Sequence, residues 1–321
     1  MPAGLGGGGK VGLGIETTMG TYAAPTVFVP VLNESLMYAE DKYYSEQIRQ
    51  ETIHSDVKSS YYHVEGTVSM EADPTNLPYW LGASRHDYVA AAGVTTFTPS
   101  NAGSGDACPF TLSITVVRNG VVFGYVGCVV GSFEFTIVDG VLQVNMDVLG
   151  MGEATQSAPS PTWPAPDLLG ADAHRIYLAA SGVSPTFGAT DVNFNGFTFR
   201  TNFNAEAQNR IRADRQASYI SFGITEAEIE SELDFMDKVD YDNMKANTTR
   251  AIKLESTNGG ATFAAATSGV RLQANRVSYD TYDVGLEGMG DLIMAGFTGR
   301  IIGIAGGDAY AIAVKGPATL P

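Results

Sequence analysis

Four histidines and two cysteines make up the chain's whole stock of imidazole and thiol groups, and their spacing assembles neither a metal site nor a nucleophile. His54, His63, His86 and His174 form no HxxxH or HxH pair, and none neighbours Cys108 or Cys128, so the ligand spacing of a zinc centre is missing. No GxSxG elbow occurs, and neither cysteine stands in a context that marks a thiolate nucleophile. Asp237 and Asp240 could pair as glycosidase carboxylates do, but acids carry that meaning only across a cleft. The stretch GLGGGGKVGLG (4–14) sets Gly4, Gly9 and Lys10 on a phosphate-loop template. Val11 stands where the Mg²⁺-binding hydroxyl belongs, and the three residues before Gly4 cannot form the strand such a loop follows. The residues thus point away from an enzyme and imply no cofactor and no metal, and the glycines read as a flexible N-terminal arm.

A different pattern dominates the charged residues. In TEAEIESELDF (225–235) Glu226, Glu228, Glu230, Glu232 and Asp234 alternate with Ala227, Ile229, Ser231 and Leu233. Glu, Ala and Leu favour helix, but a helix would spread these acids around its circumference, whereas a strand sets them on one face. YHVEGTVSMEAD (62–73) has the same period, with Val64, Gly66, Val68, Met70 and Ala72 on one side and Glu65, Glu71 and Asp73 among the residues on the other. Pro74 and Pro78 end that strand, and NLPYWLG adds a short helical turn.

Such faces need a sheet to hold them. FEFTIVDGVLQVNMDVLG (133–150) alternates Phe133, Phe135 and Ile137 with polar residues, turns at Asp139-Gly140, and alternates again through Leu142, Val144, Met146 and Val148. This is a β-hairpin with one apolar face. Glu65, Glu71 and Asp73 match Glu226, Glu232 and Asp234 at one constant spacing, and VLGMGEA (148–154) echoes LEGMGDL (286–292). The chain therefore reads as two β-rich units: an arm over 1–24, a first unit over 25–156, a Pro- and Ser-rich linker over 157–167, and a second unit over 168–321. The first unit carries a long loop, 40–62, and additional residues over 81–107.

Acids outnumber bases 35 to 19, for a formal net charge of −16, which excludes a protein that grips nucleic acid through clustered Lys and Arg. It does not exclude a surface past which nucleic acid slides. Two cysteines make no disulfide framework and read as reduced thiols in a protein made in a cytoplasm. No secretory signal opens the chain, and its most apolar run, 120–133, is too short and Gly-rich to cross a membrane.

With these strands in view, GKVGLGIETTMGTYAAPTVFVPV (9–31) and VEGTVSMEADPTNLPYWLG (64–82) resemble the tail tube (major tail) proteins of long-tailed, non-contractile bacteriophages. The resemblance implies a mainly β fold of two tandem sandwich- or barrel-like units with short helices, in a structural virion protein assembled in the host cytoplasm. Its copies would join edge to edge into rings that stack into a tube, as trimers of two-unit chains in preference to hexamers. The partners implied are other copies, the tape-measure protein, the tail terminator and tail-tip proteins, with genomic DNA passing through the lumen unbound. On this reading Glu65, Glu71, Asp73, Glu226, Glu228, Glu230, Glu232 and Asp234 line the lumen, since a wet pore tolerates unpaired carboxylates that a packed interface would not; a solvated outer face is the alternative. Tyr43, Tyr44, Arg49, Tyr61 and Tyr62 on the long loop, with Arg210, Arg212 and Arg215 on the matching segment 202–218, are candidate inter-subunit anchors, or else ordinary surface residues. The rival functions are a carbohydrate- or receptor-binding virion module and a glycan-cleaving enzyme. Both need a groove lined by exposed aromatics or acids, and Trp80 and Trp163 sit beside prolines instead.

Overall fold

The chain is mainly β, with apolar alternation marking strands such as Val141–Gly150, Phe194–Asn202, Glu226–Asp234 and Met294–Ile301, and continuous buried runs marking others. The computed structural model describes residues 9–45, 56–100, 108–156, 159–163, 165, 167–188, 191–211, 214–235, 238–285, 293–317 and 320. The first half holds β1 (Lys10–Ile15), β2 (Val27–Val29), β3 (Asn33–Glu34), β4 (Met37–Tyr44), β5 (Val57–Glu71) and helix α1 (Leu77–Gly82). There follow β6 (His86–Ala91), β7 (Val94–Pro99), β8 (Leu112–Arg118), β9 (Val121–Val138), β10 (Val141–Gly150) and β11 (Gly152–Ala154). The second half holds β12 (His174–Ala180), β13 (Phe194–Asn202), β14 (Ala205–Gln208), β15 (Tyr219–Phe222), β16 (Glu226–Asp234) and helix α2 (Val239–Lys245). It closes with β17 (Arg250–Asn258), β18 (Ser268–Val284), β19 (Met294–Ile301) and β20 (Tyr310–Lys315).

The pairings follow one order in both halves. β5 pairs β10, β10 pairs the second part of the long strand β9, and the first part of β9 pairs β8 and β11. Likewise β16 pairs β19, β19 pairs the second part of β18, and the first part of β18 pairs β17 and β20. β1 lies on β8 as β12 lies on β17. The residues that the first half carries in addition form the β6–β7 hairpin, and β7 pairs with β20 of the other half. β9 and β13 join the halves a second time.

The 133–150 hairpin forms as its alternation predicts: Phe133, Phe135, Leu142, Val144, Met146 and Val148 are buried. Asp139 and Gly140 take φ of 50° and 74°, the left-handed pair that a two-residue hairpin turn requires. Within the expected arm, Lys10–Ile15 is a strand held by β2 and β8. Val11 and Leu13 are buried, and a Cβ on Gly12 would stand 2.7 Å from the Pro25 Cβ. These glycines permit close packing, which composition alone reads as flexibility. The echo at 286–292 lies outside the described residues, whereas VLGMGEA closes β10 and leads into β11. Residues 65–71 and 226–232 lie on β5 and β16, but counted from the register shifts in β9 and β18 the place of Glu65 is taken by Glu228.

His86 ties the halves together. It is wholly buried among Phe97, Phe133, Phe203 and Tyr310. Its Nδ1 meets the Ser84 hydroxyl at 2.6 Å and its Nε2 the Tyr310 hydroxyl at 3.0 Å, while Ser84 donates to the Leu81 carbonyl. That chain of donors suits a neutral ring with Nδ1 protonated and Tyr310 donating to Nε2. Burial pushes its pKa down to about 3 from the ordinary 6.5. The unfolded chain therefore takes up this proton first, so the contribution is intact above about pH 6.5 and is lost progressively as pH falls toward 3. At pH 5 the loss is about 2 kcal/mol. Unfolding free energies of the unassembled chain from urea titrations should fall by that much more between pH 7 and pH 5 than those of His86→Asn; parallel profiles would refute the assignment.

Candidate functional site

The residues that carry the chain's charge pattern converge on one sheet face. Strand period puts Ala227, Ile229, Ser231 and Leu233 into the core and leaves Glu226, Glu228 and Glu230 exposed and Glu232 and Asp234 half-buried. On β5 the same alternation buries Val64, Val68 and Met70 and turns Glu65 and Glu71 to the opposite side. Between these strands run β10, β9 and β13, and beyond β16 run β19 and β18. Asn145 and Asp147 on β10, Glu134 on β9 and Asp283 on β18 extend the polar face across the sheet. The result is a mainly hydrophilic surface built by both halves, with Met37, Leu149 and Met294 as its apolar members.

One row of this face alternates in sign. Glu134 stands opposite Arg200, Arg200 opposite Glu228, and Glu228 opposite Arg300. Arg200 reaches Glu134 at 3.0 Å and Glu230 at 3.7 Å, and Arg300 reaches Glu228 at 3.7 Å and Asp280 at 3.3 Å. Pairs this exposed contribute about 0–1 kcal/mol each; their effect is to relieve repulsion between neighbouring strands. Elsewhere on the face the acids take neutral donors. Asn195 donates to Glu232, Asn193 to Asp234 and Ser132 to Asp147, while His63 lies 3.3 Å from Glu65. The face thus stays strongly acidic.

Asp73 departs from its expected place. β5 ends at Glu71, and Asp73 is buried in the turn that follows. Its Oδ1 accepts from the Thr75 backbone and its Oδ2 from the Asn76 side chain, while burial pushes its carboxyl above the ordinary carboxylate range. This acid shapes the turn into α1 and takes no part in the exposed face.

The candidate anchors divide. Tyr43 and Tyr44 are exposed at the end of the β4–β5 hairpin, and Arg49 and Arg212 lie outside the described residues. Tyr61 and Tyr62 are half-buried on β5. Arg215 spends its charge within the chain, on Glu40 at 2.6 Å and over the Tyr62 ring, and its carbonyl accepts from the Tyr62 backbone. Arg210 stacks on Tyr219 and donates to its hydroxyl. Trp80 is wholly buried, and Trp163 packs edge-on against Phe28 at 6.0 Å.

Residues 6–311 match the sequence model of the family described as phage tail tube protein. The chain belongs to that family. It is a structural tail tube protein, and its place is the virion tail. No curated protein shows significant sequence similarity to it. Among the described residues no helix of this tail tube protein is long and apolar enough to cross a membrane.

Sequence reasoning missed one element of the fold that fixes this sheet. Glu16 is buried, and four donors converge on it: the Gly20 and Gly127 backbones at 2.8 Å and the Thr111 and Ser113 hydroxyls at 2.7 Å. It joins the segment after β1 to β8 and to the middle of β9. No local pattern announces it, because its partners lie far away in the chain.

Proposed function

We propose that this tail tube protein polymerises into stacked rings whose acidic sheet face lines the lumen, and that genomic DNA passes through this conduit during ejection. Each chain supplies two tube units, so three chains close a pseudo-sixfold ring; a ring of six chains is the second choice. The observation that carries the reading is the continuous acidic face running from β5 to β18 across both halves. Carboxylates that repel one another are tolerable against water and costly in a packed interface. Facing DNA, the carboxylates outnumber the cations of the face, and Arg200 and Arg300 are already engaged by acids on neighbouring strands, so few sites are left on which phosphates would dwell and the duplex slides. The remaining acids of the expected set, Glu65, Glu71, Glu226, Glu228, Glu230, Glu232 and Asp234, belong to this surface, with Arg200 and Arg300 moderating it. Tyr43 and Tyr44 are placed to reach a neighbouring copy or ring. The tape-measure protein would fill the lumen before DNA does, with terminator and tip proteins closing the ends, in a tail built in the host cytoplasm.

Negative-stain microscopy of the concentrated protein is the direct test. Rings or tubes are expected, with a central hole wide enough for duplex DNA. Persistence as separate globules in every salt and pH condition would overturn the proposal.

A further inference from the structure

Of the two tryptophans, Trp80 is wholly buried, whereas Trp163 is 47% exposed and lines a groove of about 750 Å³. With it the groove gathers Lys10 at the start of β1, Leu32, Asn33 and Glu34 at β3, and Arg118 and Asn119 at the end of β8. Strand period decides which way the indole faces. Val11 and Leu13 lie in the core shared with Val144 and Met146, so Gly12 between them turns to the opposite side, where it stands across from Phe28 on β2. A Cβ on Gly12 would come within 2.9 Å of the Phe28 ring, and Trp163 packs edge-on against that same ring at 6.0 Å. The indole is thus held on the outer side of the β1–β2–β8 sheet, with the core between it and the acidic face. Arg118 and Glu34 are fixed on each other, with the guanidinium donating to both carboxylate oxygens at 2.7 and 2.6 Å. The other polar groups are free. Among the described residues, no hydrogen bond or ion pair engages the side chains of Lys10, Asn33 and Asn119 or the Trp163 indole N–H.

We propose that this groove binds a glycan built of gluco-configured pyranose rings. Such a ring carries its hydroxyls around its rim and leaves a flat C–H face, which stacks on an indole; Trp163 and the exposed Leu32 supply that apolar surface. Each free amide presents two donors and an acceptor, the set that reads neighbouring hydroxyls, and the Lys10 ammonium adds further donors. A large aromatic with a few convergent polar groups, in a groove of this size, is the make-up of a small-molecule site. A lipid chain would leave these amides and the ammonium facing hydrocarbon, at a cost nothing repays. Nucleic acid would meet a chain of formal net charge −16, with Lys10 the free cation in the groove, where phosphates need a cluster. Binding does not depend on the ring reading, but the site's place on the virion rests on it. If the acidic face lines the lumen, the groove opens on the outside of the tube, where a tail meets cell-surface polysaccharide.

Calorimetric titration of the unassembled chain with cellohexaose and with chitohexaose is the test. At least one should bind with half-saturation at or below about 1 mM. It should also shift the tryptophan emission, a signal that reports on Trp163 because Trp80 is sealed in the core. Trp163→Ala should weaken binding at least about tenfold, and Trp163→Phe, which keeps a stacking ring, should weaken it less. Asn33→Ala combined with Asn119→Gly, a residue suited to the φ of 48° at that turn, should also cost at least about tenfold while leaving the indole in place. Glu226→Ala, on the acidic face, should bind as the native chain does, and unchanged circular dichroism identifies the variants that fold. No binding of either sugar at about 10 mM, or equal binding by the native chain and the folded groove variants, would overturn the site. Assembled tubes should bind as single chains do; tubes that lose the sugar would overturn the outward placement. Chains that bind the sugar but never form rings would overturn the ring reading and leave the site standing.

Discussion

Glu16→Ala should destabilise the unassembled chain by about 4 kcal/mol, a large part of the roughly 5–15 kcal/mol that holds an ordinary domain together. The carboxylate is 5% exposed and accepts from two backbone N–H groups and two hydroxyls. Truncation strands all four donors in a buried space, and each donor left without a partner costs about 1–3 kcal/mol before relaxation and entering water recover part of it. The hydroxyls of Thr111 and Ser113 can turn to other acceptors, but the Gly20 and Gly127 amides cannot. Ser113 also accepts from the Ala23 backbone, so the loss spreads into the segment between β1 and β2. Glu16→Gln keeps the volume and one acceptor oxygen and should cost about half as much. Denaturant midpoints at unchanged slope are the measurement. A shift under about 1 kcal/mol for the alanine variant would show that Glu16 is not the anchor of this corner.

What could be read from the sequence followed from local period. The alternation over 225–235 placed β16 and the side on which its acids lie, against the helical propensity of Glu, Ala and Leu, and Asp139-Gly140 placed the turn between β9 and β10. The short helix at NLPYWLG is there as α1. Asp73 shows where period misleads: the pattern runs on by two residues after the strand has ended, and the chain then turns and buries the acid. Gly12 was legible only as an absence of side chain, since what approaches it is Pro25 and Phe28. The alternating row Glu134, Arg200, Glu228, Arg300 was hidden because it comes from four strands. Its members become neighbours only when register is fixed, and register depends on core packing throughout the sheet. Glu16 was out of reach for the same reason. Family membership was more accessible, because it rests on the whole order of strands and turns.

If the acidic face lines the lumen as proposed, reversing its charge should turn it into a surface that holds DNA. Glu65 and Glu226 are the residues to change, since they lie on β5 and β16 of the same face, are exposed, and carry no ion pair with Arg200 or Arg300. Glu65→Lys with Glu226→Lys removes two carboxylates and adds two ammonium groups per chain, repeated around every ring. A duplex engaging about 6–10 such cations would bind with an affinity that falls about 10³–10⁵-fold between 50 and 200 mM salt, whereas the native tube should show no measurable retention. Added lysines attract DNA from either side of a wall, so retention alone does not locate the face. Nuclease does. Short duplexes soaked into variant tubes at low salt should survive digestion if the face lines the lumen, because the wall excludes the enzyme. Complete digestion of the retained DNA would put these acids on the outside of the tube, and their role would reduce to keeping the particle soluble.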